Sequence, residues 1–344
     1  GSMCIAIGYA VIIAYILKAF FQSVTGELMT LDTGLWFESF STTEYSVVPF
    51  HIIVVIGTLL TLLLGAKSIE KTNKIMMPVF FIIFVILAVR VSFLPGAMEG
   101  YKFMFTPDWG KLADPMTWIW AMGQAFFSLS LGLGCLCTYA SYFGPDTNIG
   151  KTALNVSIID TFVAIMSGFI IFPAVFNAGY TLSSNDIGPS LLFITMPNVF
   201  GQAFGDIPFL AYGVSVLFYF LLVLAALTST ISMHEVVTAY VSEEFGMTRR
   251  KAAAIVTATC TAVGVVCSLS FGPFDGIKIC GMGIFDLFDY VSSNIFLPVG
   301  GMLIAIFTGW YLDKKIVRDD ISNRGSLRVP YLRTVFFILR YVAP

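Results

Sequence analysis

Apolar runs long enough to cross a bilayer follow one another down almost the whole chain. They fall at about 3–24, 47–65, 75–94, 117–143, 153–178, 208–242, 250–271 and 281–311, with an incomplete one at 330–344. A hydrocarbon core offers no water to backbone N–H and C=O groups, so such runs must close their own hydrogen bonds. A helix needs roughly 20 apolar residues to span. The spacing therefore predicts an all-α, polytopic membrane protein with eight spanning helices and the start of a ninth. Composition agrees, at 57% hydrophobic and 12% charged, where soluble domains carry about 25% charged residues. A net charge of −2 lacks the concentrated basic face that nucleic acid requires. The cysteines Cys4, Cys135, Cys137, Cys260, Cys267 and Cys280 lie scattered in or beside apolar segments with no CxxC pair, which points to packing rather than disulfide or zinc.

The first run has no charged leader and no cleavage site, so it does not read as a signal peptide. The last run stops about 14 residues in, short of the ~20 needed to span. The sequence is expected to be a segment cut at both ends, and Gly1-Ser2-Met3 has the form of a tag remnant.

Orientation follows from lysine and arginine in the connections. Those at 66–74, 144–152, 243–251 and 312–333 hold thirteen, among them Lys67, Lys151, Arg249 and Arg318; the alternate ones at 25–46, 95–116, 179–207 and 272–280 hold only Lys102, Lys111 and Lys278. The first set is expected in the cytoplasm of a plasma-membrane protein, and the first helix then runs outwards. Within 179–207, the stretch Gly188-Pro189-Ser190-Leu191-Leu192-Phe193-Ile194 before Met196-Pro197 is too apolar for a solvated loop and too short to span. It predicts an extracellular re-entrant hairpin.

One run should not stay helical. Phe126-Phe127-Ser128-Leu129-Ser130-Leu131-Gly132-Leu133-Gly134 lies inside the segment 117–143. Each interior glycine costs about 1 kcal/mol against alanine, and serine hydroxyls offer the backbone competing partners. Unwound backbone at membrane depth survives only where protein or a wet cavity satisfies it, and broken helices are a common way for transporters to bind substrate and ions.

Other polar residues stand in apolar surroundings. Asp160 falls inside the segment 153–178; a carboxylate near a span's centre costs about 2.5–3.5 kcal/mol and usually faces a pathway, though a hydrated helix end would also hold it. Ala225, Thr228 and Ser229 share one helical face at i, i+3 and i+4. Their carbonyl and two hydroxyls suit a small cation, and equally suit back-bonding to the preceding turn. Asp286 and Asp289, at i and i+3, fit either interfacial carboxylates or an entrance. His51 and the pair His234-Glu235 lack metal spacing and read as packing or hydrogen-bonding residues. Glu243-Glu244 reads as a solvated helix end. No nucleophile–base constellation, Walker loop or metal motif appears, which counts against an enzyme and an ATP-driven pump.

The run from Trp118 through Gln124-Ala125-Phe126-Phe127-Ser128-Leu129-Ser130-Leu131-Gly132-Leu133-Gly134 to Thr138-Tyr139-Ala140-Ser141-Tyr142 closely resembles the sixth helix of the neurotransmitter:sodium symporter family. Ala226-Leu227-Thr228-Ser229-Thr230-Ile231-Ser232 resembles the eighth, Phe285-Asp286-Leu287-Phe288-Asp289-Tyr290 the tenth, and Ile7-Gly8-Tyr9-Ala10-Val11-Ile12-Ile13-Ala14-Tyr15 the third. The match covers essentially the whole chain and implies an inverted-repeat, leucine-transporter-type fold in a single transporter domain over 1–344, from the third helix to the start of the eleventh. The natural lead-in to the third helix then accounts for Gly1-Ser2-Met3. The family's first two helices are absent from this stretch; the first supplies half of the substrate site, part of both sodium sites and the outer-gate arginine.

Residue by residue, the resemblance implies the following. Ser128 and Asp160 match the first sodium site, and the Ala225 carbonyl, Thr228 and Ser229 the second, so two Na+ sites are expected, both incomplete without the missing helix. Tyr9, Phe127, Ser128, Ser130, Leu133, Ser229 and Met233 match positions at or beside the substrate, with Ile5 a further candidate. Tyr9 would offer its hydroxyl to the substrate carboxylate, and Phe127 would form a lid. Asp289 and Phe127 match the outer gate, and Tyr142 and Glu243 the inner gate network. Chloride-dependent members carry asparagine where Asp160 stands and use the glutamine matching Gln124; the fixed carboxylate here, with Ala164 in place of a serine, implies chloride independence. The expected activity is sodium-coupled symport of small, neutral and hydrophobic amino acids by alternating access, with sodium, amino acid and lipid as partners and no nucleic acid. A channel or receptor-like protein, and an inactive fragment of such a transporter, are the other readings the sequence allows.

Overall fold

The computed structural model describes residues 1–43, 45–64, 66–144, 147–177, 191–204, 207–327 and 329–344. In chain order its helices are α1 (Ser2–Thr25), α2 (Thr33–Thr42), α3 (Val48–Leu64), α4 (Ala66–Val91), α5 (Ala97–Phe105), α6 (Pro115–Ser128), α7 (Cys135–Ser141) and α8 (Ile149–Asn177). After these come α9 (Met196–Phe204), α10 (Pro208–Glu244), α11 (Arg249–Ser268), α12 (Ile284–Tyr290), α13 (Leu297–Ile306), α14 (Lys314–Ile321) and α15 (Leu332–Phe337). Among the described residues the one β feature is an isolated bridge between Ile279 and Met282. The fold is all-α, as the apolar runs require. Among the described residues, five helical stretches are long and apolar enough to cross a membrane: Ser2–Thr25, Ile149–Asn177, Pro208–Glu244, Arg249–Phe271 and Ile284–Tyr311. Val48–Leu63 and Met77–Val91 are shorter apolar helices.

The connections are more ordered than their polarity suggests. The basic connection 66–74 is helical, because α4 already begins at Ala66; a lysine does not interrupt backbone hydrogen bonding. Within 25–46 lies α2, whose N-cap Asp32 accepts hydrogen bonds from the Gly34 and Leu35 amides, two of the donors a helix start leaves free. In the same way α5 lies within 95–116 and α14 within 312–333.

The chain divides into two compact units. The larger comprises residues 6–107 and 164–287. Its core is built where α3 and α10 pack against α11. Gly264 of α11 has no side chain, and the fully buried His51 ring of α3 fills that space; a Cβ there would meet its Cε1 and Nε2. Tyr15, Trp36, Phe37, Phe40 and Phe193 form one aromatic cluster that docks α2. At the turn from α10 to α11, Arg249 pairs with Glu235 at 2.7 Å.

The hairpin expected over 179–207 falls partly at 179–190 and 205–206, outside the described residues. Its remaining part is a π turn, Leu191–Thr195, running into α9. A π turn leaves carbonyls out of the i→i−4 ladder, and side chains meet them here. Tyr219 donates to the Leu192 carbonyl at 3.1 Å, and Asn198 donates to that of Ile194 at 2.9 Å. At the far end of α9, Arg90 donates to the Ala203 carbonyl at 2.5 Å and lies over the Phe204 ring. A cation at a helix C-terminus is the favoured sign.

The smaller unit comprises residues 1–5, 108–163 and 288–344. Here α13 is flanked by π turns at Val291–Phe296 and Phe307–Tyr311. The second is hooked to the C-terminal segment: Arg340 donates through Nε to the Gly309 carbonyl at 2.5 Å, and Trp310 donates through Nε1 to the Arg340 carbonyl at 3.2 Å.

Candidate functional site

The predicted break lies in the smaller unit. Helix α6 ends at Ser128 and α7 starts at Cys135. The end is a Schellman closure: the Ser130 amide donates to the Phe127 carbonyl at 3.1 Å, and the Leu131 amide to that of Phe126 at 2.9 Å. The residue that turns the chain sits in the left-handed region, normally a glycine's place; here it is Ser130, at φ 54°. A non-glycine residue there costs roughly 1–2 kcal/mol. Gly132 and Gly134 take the next two left-handed positions, at φ 78° and 79°, and Gly134 opens α7.

The negative pole of the α6 dipole falls at this end, and its last residue, Ser128, meets a carboxylate there. The Ser128 hydroxyl donates to Asp160 Oδ2 of α8 at 2.8 Å. A carboxylate, a hydroxyl and a helix C-terminus together favour a small hard cation, which takes oxygen ligands. The structure thus brings together the pair expected at the first sodium site. Phe127, beside it, is 46% exposed, whereas Leu133 is only 9% exposed; Ser130 is half-buried.

The second constellation lies in the larger unit, inside α10. Thr228 Oγ1 donates to the Ala225 carbonyl at 2.7 Å and Ser229 Oγ to the same carbonyl at 3.3 Å. This is the back-bonded arrangement open to any helical Ser or Thr. It also gathers the three oxygens of the second expected sodium site at one point. The Tyr9 hydroxyl of α1 lies near Ser229, so two expected substrate residues adjoin this point. Met233, one turn further along α10, is buried.

The remaining candidates are placed as follows. Asp289, near the end of α12, is exposed and accepts a hydrogen bond from Ser293 Oγ at 3.3 Å. Asp286 is exposed in the first turn of α12. Tyr142 caps α7 and is exposed, and Glu243 is exposed in the last turn of α10. Ile5 is half-buried in α1, while Gln124 of α6 and Ala164 of α8 are exposed. His234 bonds the Thr230 carbonyl at 2.9 Å within its own helix, a hydrogen-bonding role as expected. None of the six cysteines, all among the described residues, is in a disulfide.

Three residues at the break escape a reading of the sequence. Ser2 is buried and its hydroxyl donates to the Leu133 carbonyl. Gly300 and Gly301 of α13 lie against Gly132 and Phe126. A glycine pair inside an apolar run is the one advance signal, since it is costly unless a backbone approaches closely; a serine at a helix start gives none.

Comparison with known proteins gives consistent matches. A model of the sodium:neurotransmitter symporter family matches residues 37–344. The sodium-dependent transporter YhdH of Bacillus subtilis is 33% identical over 98% of this chain and 73% of its own length. A sodium-dependent transporter of Haemophilus influenzae is 32% identical over 87% of this chain, which spans 64% of that protein. The crystal structure of MhsT in complex with L-phenylalanine superposes with a TM-score of 0.89 at 36% identity, covering 100% of this chain and 76% of that one.

Proposed function

The chain belongs to the sodium:neurotransmitter symporter family, a family of transporters and not of enzymes, and on that premise we propose sodium-coupled symport of neutral, hydrophobic amino acids across the plasma membrane by alternating access, without a requirement for chloride. The observation that carries this reading is the Ser128–Asp160 hydrogen bond of 2.8 Å at the C-terminal end of the broken α6. A fixed carboxylate at that point supplies the negative charge that a bound anion would otherwise provide beside the cation. Two unit charges about 4 Å apart attract by roughly 4 kcal/mol at an effective dielectric of 20, before desolvation.

In this reading sodium is cargo. One ion uses Ser128 and Asp160; the other uses the Ala225 carbonyl, Thr228 and Ser229, whose oxygens already lie together. Tyr9 and Ser229 would offer hydroxyls to the amino acid's polar end, and Ser128 and Ser130 are the further substrate positions that the family resemblance implies. Leu133 and Met233, the apolar positions of the substrate set, and the phenylalanine bound to MhsT support a preference for hydrophobic side chains. Phe127 acts as lid and Asp289 as an outer-gate acid, and Tyr142 and Glu243 serve the inner gate.

The test is uptake by the full-length protein in proteoliposomes. L-Phenylalanine and L-leucine should compete for uptake, L-lysine and L-glutamate should not, and replacing chloride by gluconate should leave the rate unchanged. Chloride-stimulated uptake would overturn the role given to Asp160, and preference for a charged amino acid would overturn the pocket.

A further inference from the structure

Between Ser128 and Cys135 the chain has left the helical ladder, so something other than its own hydrogen bonds must set its position. The Schellman closure fixes the segment only as far as Leu131. From there the nearest structure is α13, which starts just after the π turn Val291–Phe296 and carries Pro298 in its first turn. The approach is backbone to backbone. A Cβ on Gly132 would strike the Leu297 carbonyl and the Gly301 amide, and one on Gly300 would strike the Gly132 carbonyl. A Cβ on Gly301 would strike the edge of the Phe126 ring. Phe126 is itself part of the closure, since its carbonyl accepts the Leu131 amide. Gly123, on the same helix as Phe126, has nothing within 4 Å of where a Cβ would stand. The glycines at 300 and 301 are therefore matched to this one contact. From another side, the buried Ser2 hydroxyl holds the Leu133 carbonyl.

We propose that Gly300 and Gly301 form a seat for the unwound segment, and that they are positioning residues for substrate binding because the seat fixes where Leu133 stands and, through Phe126, holds the closure that sets Ser130. This rests on the reading above that the segment contacts the amino acid. The glycines touch no substrate. They act by allowing the Gly132 backbone to settle at contact distance, where Cα–H···O interactions also become available. A Cβ at position 300 meets a backbone oxygen that cannot yield, so the segment must lift. A Cβ at position 301 meets a ring, and a smaller side chain at position 126 would make room for it. The two glycines therefore differ in what should rescue them.

The experiment uses the full-length protein, with L-phenylalanine as probe and hydrogen–deuterium exchange of peptides covering 126–134 as a substrate-independent readout. Gly300→Ala and Gly301→Ala should each speed exchange over 129–134 while α10 and α11 exchange as before. Each should raise the KM for L-phenylalanine between tenfold and a hundredfold, the order expected for a misplacement of about 1 Å, with Vmax changed far less. Adding Phe126→Leu should restore both readouts in Gly301→Ala and neither in Gly300→Ala, while Gly123→Ala should change neither. If Gly301→Ala does not fold, the Gly301→Ala/Phe126→Leu pair must fold and bind normally; failure of the pair as well overturns the seat. Unchanged exchange and KM in both alanine variants overturns it too, and leaves the transport reading standing. The predicted exchange pattern in a wild type that binds no amino acid would uphold the seat and overturn the transport reading.

Discussion

Replacing Asp160 by asparagine isolates the charge on which the proposed cation site depends. Asparagine keeps an oxygen that can accept the Ser128 hydroxyl, now bonded to Asp160 Oδ2 at 2.8 Å, so the geometry is retained and only the formal charge is lost. A sodium ion liganded by both residues lies within about 4 Å of the carboxylate charge, an attraction of roughly 4 kcal/mol at an effective dielectric of 20. Asp160 is half-buried and Ser128 is exposed. Water therefore solvates the carboxylate when the ion leaves, and the net contribution falls to about 2 kcal/mol. At 1.4 kcal/mol per factor of ten, sodium affinity should weaken roughly thirtyfold. The assay is the sodium activation curve of L-phenylalanine uptake in proteoliposomes, with choline keeping ionic strength constant. Half-saturation should move to higher sodium by about that factor, with expression and thermal stability near wild type. A shift of less than threefold would refute the placement of a cation at Asp160.

Three further substitutions test the packing that holds these elements. Gly264→Ala puts a Cβ into the His51 ring, an overpacking cost of about 1–3 kcal/mol that should lower the unfolding temperature in detergent and be relieved by His51→Ala. Arg249→Met leaves Glu235, only 10% exposed, without its 2.7 Å partner; with Arg249 itself 54% exposed, the loss should be about 1–2 kcal/mol, and Glu235→Gln should cost less in the same melting assay. Tyr219→Phe removes the hydrogen bond to the Leu192 carbonyl, worth about 1 kcal/mol, and should speed deuterium exchange over 191–195 without changing it in α11.

The sequence made the class of fold and the break in α6 legible because both follow from local chemistry. Apolar runs of bilayer length dictate helices, and Ser128 to Gly134 concentrate residues that resist one. Even so, the turning residue is Ser130, at φ 54°, where the glycines drew attention first. The oxygens of Ala225, Thr228 and Ser229 were legible from helical spacing, which is fixed by the backbone. Less is visible in the connections: 66–74, whose charges separate two apolar runs, is helical, and α2 lies within 25–46, with Asp32 marking its start. The closest contacts were hidden because they join residues far apart in sequence. Gly264 serves His51, Tyr219 serves Leu192, and Gly300 serves Gly132; each partner is chosen by packing that no local pattern encodes.

The most direct test of sodium-coupled symport is concentrative uptake of L-phenylalanine by proteoliposomes of the full-length protein under an inward sodium gradient. The account predicts accumulation above the external concentration that collapses when a sodium ionophore dissipates the gradient and persists when gluconate replaces chloride. Equal uptake with potassium in place of sodium, or sodium flux without accumulation of the amino acid, would contradict it.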